Sequence, residues 1–258
     1  MRLDVILCKE NIFPSRNKAC EAIFEGRVLI NGKVINKPSH SVESLQGVEV
    51  LSSDSVFVSN GGAKLHKALK DFNLNVKDLV FADIGASNGG FTDCLIKAGA
   101  SKIFAIDVGE SQLDKTLINN EKVVVIDNFN ARFLSFEVLG EKVDGVTADV
   151  SFISLTYVLG GVKSVLKDNG IALLLIKPQF ECGKEFLNKN GIVKDKKARI
   201  LAIKKVYNAC LDLGLNPVGI TNAPIKENKN KEFILFVKNN DTSANFSVVA
   251  LLKNVGEL

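Results

Sequence analysis

From residue 79 onward, short apolar runs alternate with amphipathic stretches. The apolar runs fall at residues 79–83, 103–106, 122–129, 145–152, 171–177, 218–221 and 233–237. Each is short and bounded by glycine, proline or charge, as strands buried on both faces of a parallel sheet are. Helical spacing is predicted between them at 91–98, at 155–166 with Gly170 closing it, and at 196–213 with Gly214 as its stop. Strands alternating with helices predict an α/β fold around a parallel sheet. The last two runs predict an antiparallel pair closing that sheet, joined through a polar hairpin loop at 226–231.

The first fifty residues follow another pattern. Leu3, Ile6 and Leu7 have helical spacing, and Pro14-Ser15 reads as the entry to a second helix with Ser15 as cap. Ala19, Ala22, Ile23 and Phe24 make that helix's inward face, which ends at Gly26. Val28, Ile30, Val34 and Ile35 flank Asn31-Gly32, a strong signal for a two-residue hairpin turn. Residues 48–51 and 56–58 read as short closing and linking strands. A further helix starts at Gly61-Gly62, with Lys64 and Lys67 opposite Leu65, Ala68 and Leu69. The predicted organisation is a small α+β domain at 1–55, a linker at 56–63 and a Rossmann-like α/β domain at 64–258.

Composition narrows the function classes. A chain 46% hydrophobic and 24% charged is a globular protein with a substantial core. Its five cysteines are scattered and never form C-x-x-C, so neither a zinc site nor a disulfide framework is expected. Arg2, Asp4 and Lys9 interrupt the apolar start, which excludes a signal peptide, and the run at 171–176 is far shorter than the roughly 20 residues of a membrane span. The expected protein is cytoplasmic and monomeric. A net charge of +4 permits a polyanionic partner without demanding one.

The first candidate chemistry lies at residues 79–107. A strand, a turn holding Gly85, Gly89 and Gly90, a helix and a strand stopping at Asp107 form the first half of a nucleotide-binding sheet. Ser87 stands where a dinucleotide fingerprint needs its second glycine, so no pyrophosphate seat is expected. The turn suits a ligand with a ribose, an adenine and a compact amino-acid tail, which is S-adenosylmethionine. Its expected contacts are Asp83, Gly85, Ala86, Ser87, Asn88, Gly89, Gly90, Phe91, Asp107, Val108 and Asn130, with Asp107 accepting from both ribose hydroxyls.

Charged residues at the ends of buried strands form the second constellation. Asp149, Lys177 and Glu232 are predicted to project toward one crevice, with Lys64 just ahead of the first sheet strand. Unpaired charges there cost several kcal/mol, so they need either a structural ion pair or a job in catalysis. Methyl transfer to a ribose hydroxyl fits: the donor is already activated, and the enzyme must position a poor nucleophile and take its proton. Lysine serves as that base when a second cation lies near it.

Two resemblances sharpen these readings. Residues 2–39, with R-L-D, S-R-x-x-A, G-x-V-x-x-N-G and K-P-S, resemble the S4-type RNA-binding domain. That resemblance implies RNA contact through Arg2, Arg16, Lys18, Arg27, Lys33 and Lys37, mainly to phosphates. F-A-D-I-G-A-S-N-G-G-F-T-D, A-D-V-S-F-I-S-L, L-I-K-P-Q-F-E and G-I-V-K-D are similar to the TlyA family, ribosomal RNA 2′-O-methyltransferases that join such a domain to an FtsJ-like catalytic domain. It implies a catalytic tetrad of Lys64, Asp149, Lys177 and Glu232, with Lys177 as proton acceptor, Asp149 and Glu232 orienting it and the ribose, and Lys64 tuning the charge. The implied substrate is a cytidine of large-subunit (23S) rRNA, with a small-subunit (16S) cytidine as a second target in longer members. Two departures stand out: Asn60 replaces the arginine of the family's S-R-G-G, and KENKNK replaces the glycine-rich loop before Glu232. Members are also called haemolysins, so membrane lysis, or a non-catalytic role in ribosome assembly, is the rival reading. A lytic protein should carry an amphipathic or spanning segment, and none is predicted.

Overall fold

The computed structural model describes residues 1–13, 15–24, 27–50, 57–110, 112–224, 229–240 and 246–258. The chain divides into two compact units, Met1–Ser55 and Val56–Leu258. In the first, α1 (Leu3–Lys9) and α2 (Arg16–Phe24) precede β1 (Val28–Ile30), β2 (Lys33–Val34) and β3 (Val48–Val50), an antiparallel sheet ordered β2-β1-β3. Ser15 Oγ accepts from Lys18 N at 3.3 Å and caps α2. Asn31 and Gly32 both take left-handed φ, 49° and 74°, as the tight hairpin requires. Pro14, Gly26 and residues 51–56 lie outside the described residues. Phe57 and Val58 form a bend where a linking strand was expected.

Leu3, Leu7, Ala19, Ala22, Ile23 and Val28 are the fully buried centre of this unit. Beside them Asp4, also fully buried, accepts two hydrogen bonds from the Arg2 guanidinium (2.9 and 3.1 Å) and one from Arg16 Nε (2.7 Å). The Arg2 bonds, with Arg16 adding to them against the cost of burial, hold the Asp4 carboxyl well below the usual carboxylate range. Its stabilising contribution is therefore complete above pH ~4 and is lost as pH falls below that. Asp4→Ala leaves two arginines without their counter-charge. Both are half exposed and stay hydrated, so the loss is that of the hydrogen bonds and ion pairs Asp4 makes with them. A unit this small has little stability to spare. Limited proteolysis of the variant should cut within residues 1–55 and leave the rest intact; an unchanged digestion pattern would refute the structural role of the triad.

The second unit starts with α3 (Asn60–Asp71), which begins inside the stretch read as a linker. Then come β4 (Val80–Ile84), α4 (Gly90–Lys97), β5 (Lys102–Ile106), α5 (Lys115–Ile118), β6 (Val123–Ile126), α6 (Phe136–Leu139), β7 (Val143–Ala148) and α7 (Leu159–Val165). The remainder is β8 (Leu166–Ile176), α8 (Pro178–Glu181), α9 (Lys196–Asp212), β9 (Leu215–Asn222), β10 (Phe233–Asn239) and α10 (Val248–Asn254). The seven-stranded sheet runs β6-β5-β4-β7-β8-β10-β9, with β10 antiparallel to both of its neighbours and the other pairings parallel. Alternate residues of each strand feed opposite cores. On β8, Ala172, Leu174 and Ile176 join the face covered by α7, α9 and α10, while Leu173 and Leu175 join the face covered by α3 and α4. Both faces are buried, which is why the strands read as unbroken apolar runs.

Gly170 does not close a helix. Leu166 pairs with Val143 and is buried by doing so, which takes the chain into the sheet four residues before that glycine. Residues 167–170 bulge before pairing resumes at Gly145–Ile171, with Asn169 at φ 59°. Residues 178–181 form α8 with Pro178 at its first position. Among the described residues no helix is long and apolar enough to cross a membrane.

Candidate active site

Three neighbouring strand ends put charge on one edge of the sheet. Asp149 follows the last residue of β7, Lys177 follows the last residue of β8, and Glu232 precedes the first residue of the antiparallel β10, whose Phe233 pairs with Ile176. Lys64 comes from α3. The four side chains meet as two pairs: Lys64 Nζ to Glu232 Oε2 at 2.7 Å, and Lys177 Nζ to Asp149 Oδ1 at 2.5 Å. Gln179 Nε2 donates to the other Glu232 oxygen at 3.2 Å. Burial works against the charge on Lys64, but Asp149 and Glu232 more than offset it and raise its pKa above the ordinary value. Lys64 is thus a fixed ammonium.

The Asp149–Lys177 contact is an ion pair without an aligned hydrogen bond, and the directed bond of the Lys177 ammonium goes to Ser151 Oγ at 2.7 Å. Ser151 was missed by sequence reasoning, since serine two residues past a strand end carries no signal of its own. Asp149 Oδ1 thus has the Lys177 ammonium as its counter-charge but no directed hydrogen bond.

Lys64, Asp149, Ser151 and Lys177 form one end of a cleft of about 180 Å³. Gly85, Ala86, Ser87, Asn88, Gly90 and Phe91 line it from the turn between β4 and α4. Gly85 has φ 79°, and a Cβ there would come within 2.7 Å of the Asp149 carbonyl oxygen, so the turn and the β7 end are packed backbone to backbone. Asp107 Oδ2 accepts from Ser87 N at 2.7 Å and its Oδ1 from Gly109 N at 2.8 Å. Both carboxylate oxygens, read as ribose acceptors, already brace the turn, and each keeps a second lone pair. Val108 is exposed, and Asn130 caps the short turn at Ala131–Phe133 by accepting from Arg132 N. Asp107, Val108, Asn130 and Gly89 are all outside the lining of the cleft, Asp107 reaching it only through Ser87.

Asp83 does not face it either. Two residues along β4 from Phe81, it points into the α3/α4 face, fully buried, and accepts from Thr92 Oγ1 (2.7 Å) and Thr147 Oγ1 (2.8 Å). Burial, against the pull of those two hydroxyls, pushes its pKa up to about 6. The folded chain therefore binds this proton more tightly than the unfolded one. Its contribution is present below pH ~4 and lost as pH rises through about 6, a change of about 3 kcal/mol for roughly two pKa units. In urea titrations, Asp83→Asn should gain on the wild type by that amount between pH 4 and pH 7; parallel pH profiles would contradict it.

Two further groups bear on the loop that follows Asp149. Glu181, buried, accepts from Ser154 Oγ (2.5 Å) and Leu155 N (2.7 Å) and forms an ion pair with Lys205 Nζ (3.1 Å), fastening that loop. On that loop Phe152 sits at φ 65°, 89% exposed, its ring 5.3 Å from Phe180. Such backbone in a bulky residue costs about 1–3 kcal/mol.

Of the six cations expected to touch RNA, Arg2 and Arg16 are bonded to Asp4, while Lys33 and Lys37 are exposed and Lys18 and Arg27 half-buried.

Comparison with known proteins agrees with this geometry. Residues 57–240 match the family model for FtsJ-like methyltransferase, and residues 1–47 match that for the S4 domain. The chain is 36% identical over 239 residues to the 16S/23S rRNA (cytidine-2′-O)-methyltransferase TlyA of Mycobacterium tuberculosis, covering 92% of this chain and 89% of the relative. It is 37% identical over 227 residues to Hemolysin A of Brachyspira hyodysenteriae, covering 88% and 94%. The solved structure of a Streptococcus thermophilus protein named as a hemolysin superposes with TM-score 0.79 at 32% identity, covering all of this chain and 94% of that one. An S-adenosylmethionine-dependent methyltransferase of Mesorhizobium loti shares the fold of 70% of this chain, with TM-score 0.53 at 13% identity over its full length.

Proposed function

The chain belongs to the TlyA family, an S4 domain joined to an FtsJ-like methyltransferase domain, and on that premise we propose that it transfers a methyl group from S-adenosylmethionine to the ribose 2′-oxygen of a cytidine in 23S rRNA. The observation that carries the reading is the pairing of two lysines with two carboxylates, Lys64–Glu232 and Lys177–Asp149, at the end of the cleft lined by the glycine turn. The residues fit the donor. The turn at Gly85 leaves room that a Cβ would fill, and the wall away from the charged pairs is backbone and uncharged side chains, suited to a nucleoside. Gly85, Ala86, Ser87, Asn88, Gly90 and Phe91 would hold it, with the free lone pairs of Asp107 toward its ribose. Bound there, S-adenosylmethionine supplies a methyl group already activated by a sulfonium.

What remains for the chain is to place the acceptor and take its proton. As the neutral amine, Lys177 Nζ takes the proton of the 2′-hydroxyl while that oxygen accepts the methyl group, and the resulting ammonium is held by Asp149. Ser151 and Asp149 hold that nitrogen in position from two sides. Lys64 stays charged and fixes Glu232, which Gln179 also braces, so that Glu232 orients the ribose. The exposed Phe152 ring offers a stacking face for a base drawn out of its helix. Incubating the purified chain with labelled S-adenosylmethionine and 23S rRNA should put label into RNA; wild-type protein that binds the donor and leaves the RNA unlabelled would refute the reading.

A further inference from the structure

Little of the chain's net positive charge lies in residues 1–50. Residues 1–50 hold seven cations against six carboxylates, net +1, and Arg2 and Arg16 are bound to Asp4. Residues 184–197 instead hold five lysines against Glu185 and Asp195, net +3 of the chain's +4. Lys189, Lys194, Lys196 and Lys197 are exposed, and among the described residues none of them pairs with a carboxylate.

The placement of these lysines is costly. Lys196 and Lys197 occupy the first turn of the 17-residue α9, where the helix's own positive end repels them, and no acid accompanies them inside that turn. Asp195 caps the helix by accepting from Lys197 N at 2.8 Å and, among the described residues, makes no ion pair with a lysine side chain. The segment is also held beside the reacting groups. Asn230 accepts from Val193 N at 2.8 Å and donates to the Gly191 carbonyl at 3.0 Å. The same Asn230 lines, with Lys64, Gln179 and Glu232, a cavity of about 340 Å³.

We infer that Lys189, Lys194, Lys196 and Lys197 form a phosphate-binding strip on the catalytic domain, which grips the RNA backbone flanking the target nucleotide. This deepens the proposed function and rests on it. A strip of unpaired ammonium groups releases counterions from a polyanion, so its mark is a steep salt dependence. The helix tolerates repulsion at its start because the ligand, when bound, supplies the missing negative charge.

The test is Lys194→Glu, Lys196→Glu and Lys197→Glu together in the full chain, titrated against a 23S rRNA transcript over a range of salt. The slope of log K against log salt should become shallower by about two to three, and affinity near ~0.1 M salt should fall at least about tenfold. S-adenosylmethionine affinity should stay within about twofold, and the melting temperature should rise by about 2–4 °C as the helix end is relieved. Solvated bystander lysines would give the same rise in melting temperature with RNA affinity and slope unchanged, and that result overturns the strip. If the glutamate variant does not fold, the matching glutamine variant decides on the same slope. Loss of binding to anionic phosphatidylglycerol vesicles with RNA binding intact would also overturn it. Wild-type protein that binds no RNA at all would contradict the functional reading itself.

Discussion

Lys177→Ala lowers methyl transfer to rRNA by about 10²–10⁴-fold, the range a positioned base supplies, while S-adenosylmethionine still binds. The reasoning is geometric. Lys177 is the one tetrad cation carried on a strand end between two others, 2.5 Å from Asp149 and 2.7 Å from Ser151. Lys64, by contrast, is committed to Glu232 and raised toward permanent charge, so it cannot substitute as the acceptor. Single-turnover rates with saturating donor and RNA separate the proton-transfer defect from binding. A variant turning over within threefold of wild type would remove Lys177 from the chemistry.

Gly85→Ala has the second large effect, through the backbone. Its φ of 79° disfavours any residue with a Cβ, and that Cβ would lie 2.7 Å from the Asp149 carbonyl oxygen and 3.3 Å from Val150 N. Neither neighbour is the tip of a flexible side chain, so the turn and the end of β7 must separate. The expected result is a loss of donor affinity of at least about tenfold together with loss of activity, since the same shift moves Asp149 away from Lys177, at a stability cost of about 1–3 kcal/mol. Equilibrium dialysis with labelled S-adenosylmethionine measures the first effect directly; unchanged affinity would mean that the turn is not part of the donor's seat.

Most of the architecture was legible because period and punctuation agree. The runs that became β4, β5, β7, β8 and β10 are apolar on both faces and end in Asp, Lys, Pro or Gly, which leaves little room for helix. The proximity of Asp149, Lys177 and Glu232 followed from topology, since residues at adjacent strand ends must share an edge, whereas Lys64 comes from α3. What escaped were facts of parity and of packing between distant segments. Asp83 read as facing the ligand, yet it shares β4's face with Phe81, and its partners Thr92 and Thr147 lie on a helix and on another strand. Arg2 and Arg16 looked like free RNA contacts because nothing local shows that Asp4 is buried between them. Gly170 looked like a helix stop because the pairing of Leu166 with Val143 is a contact across the sheet. Glu232 follows a loop with no family glycine, and only the register Phe233–Ile176 puts it opposite Lys177.

The central claim is that the atom methylated is a ribose oxygen, deprotonated at Lys177. Alkaline hydrolysis of RNA uses that same 2′-oxygen as its nucleophile, so methylation there blocks cleavage at the modified residue. Digesting 23S rRNA labelled by this protein should leave the label in an alkali-resistant dinucleotide beginning with cytidine, and Lys177→Ala should yield none. Label recovered in single nucleotides would place the methyl group on a base and contradict the account.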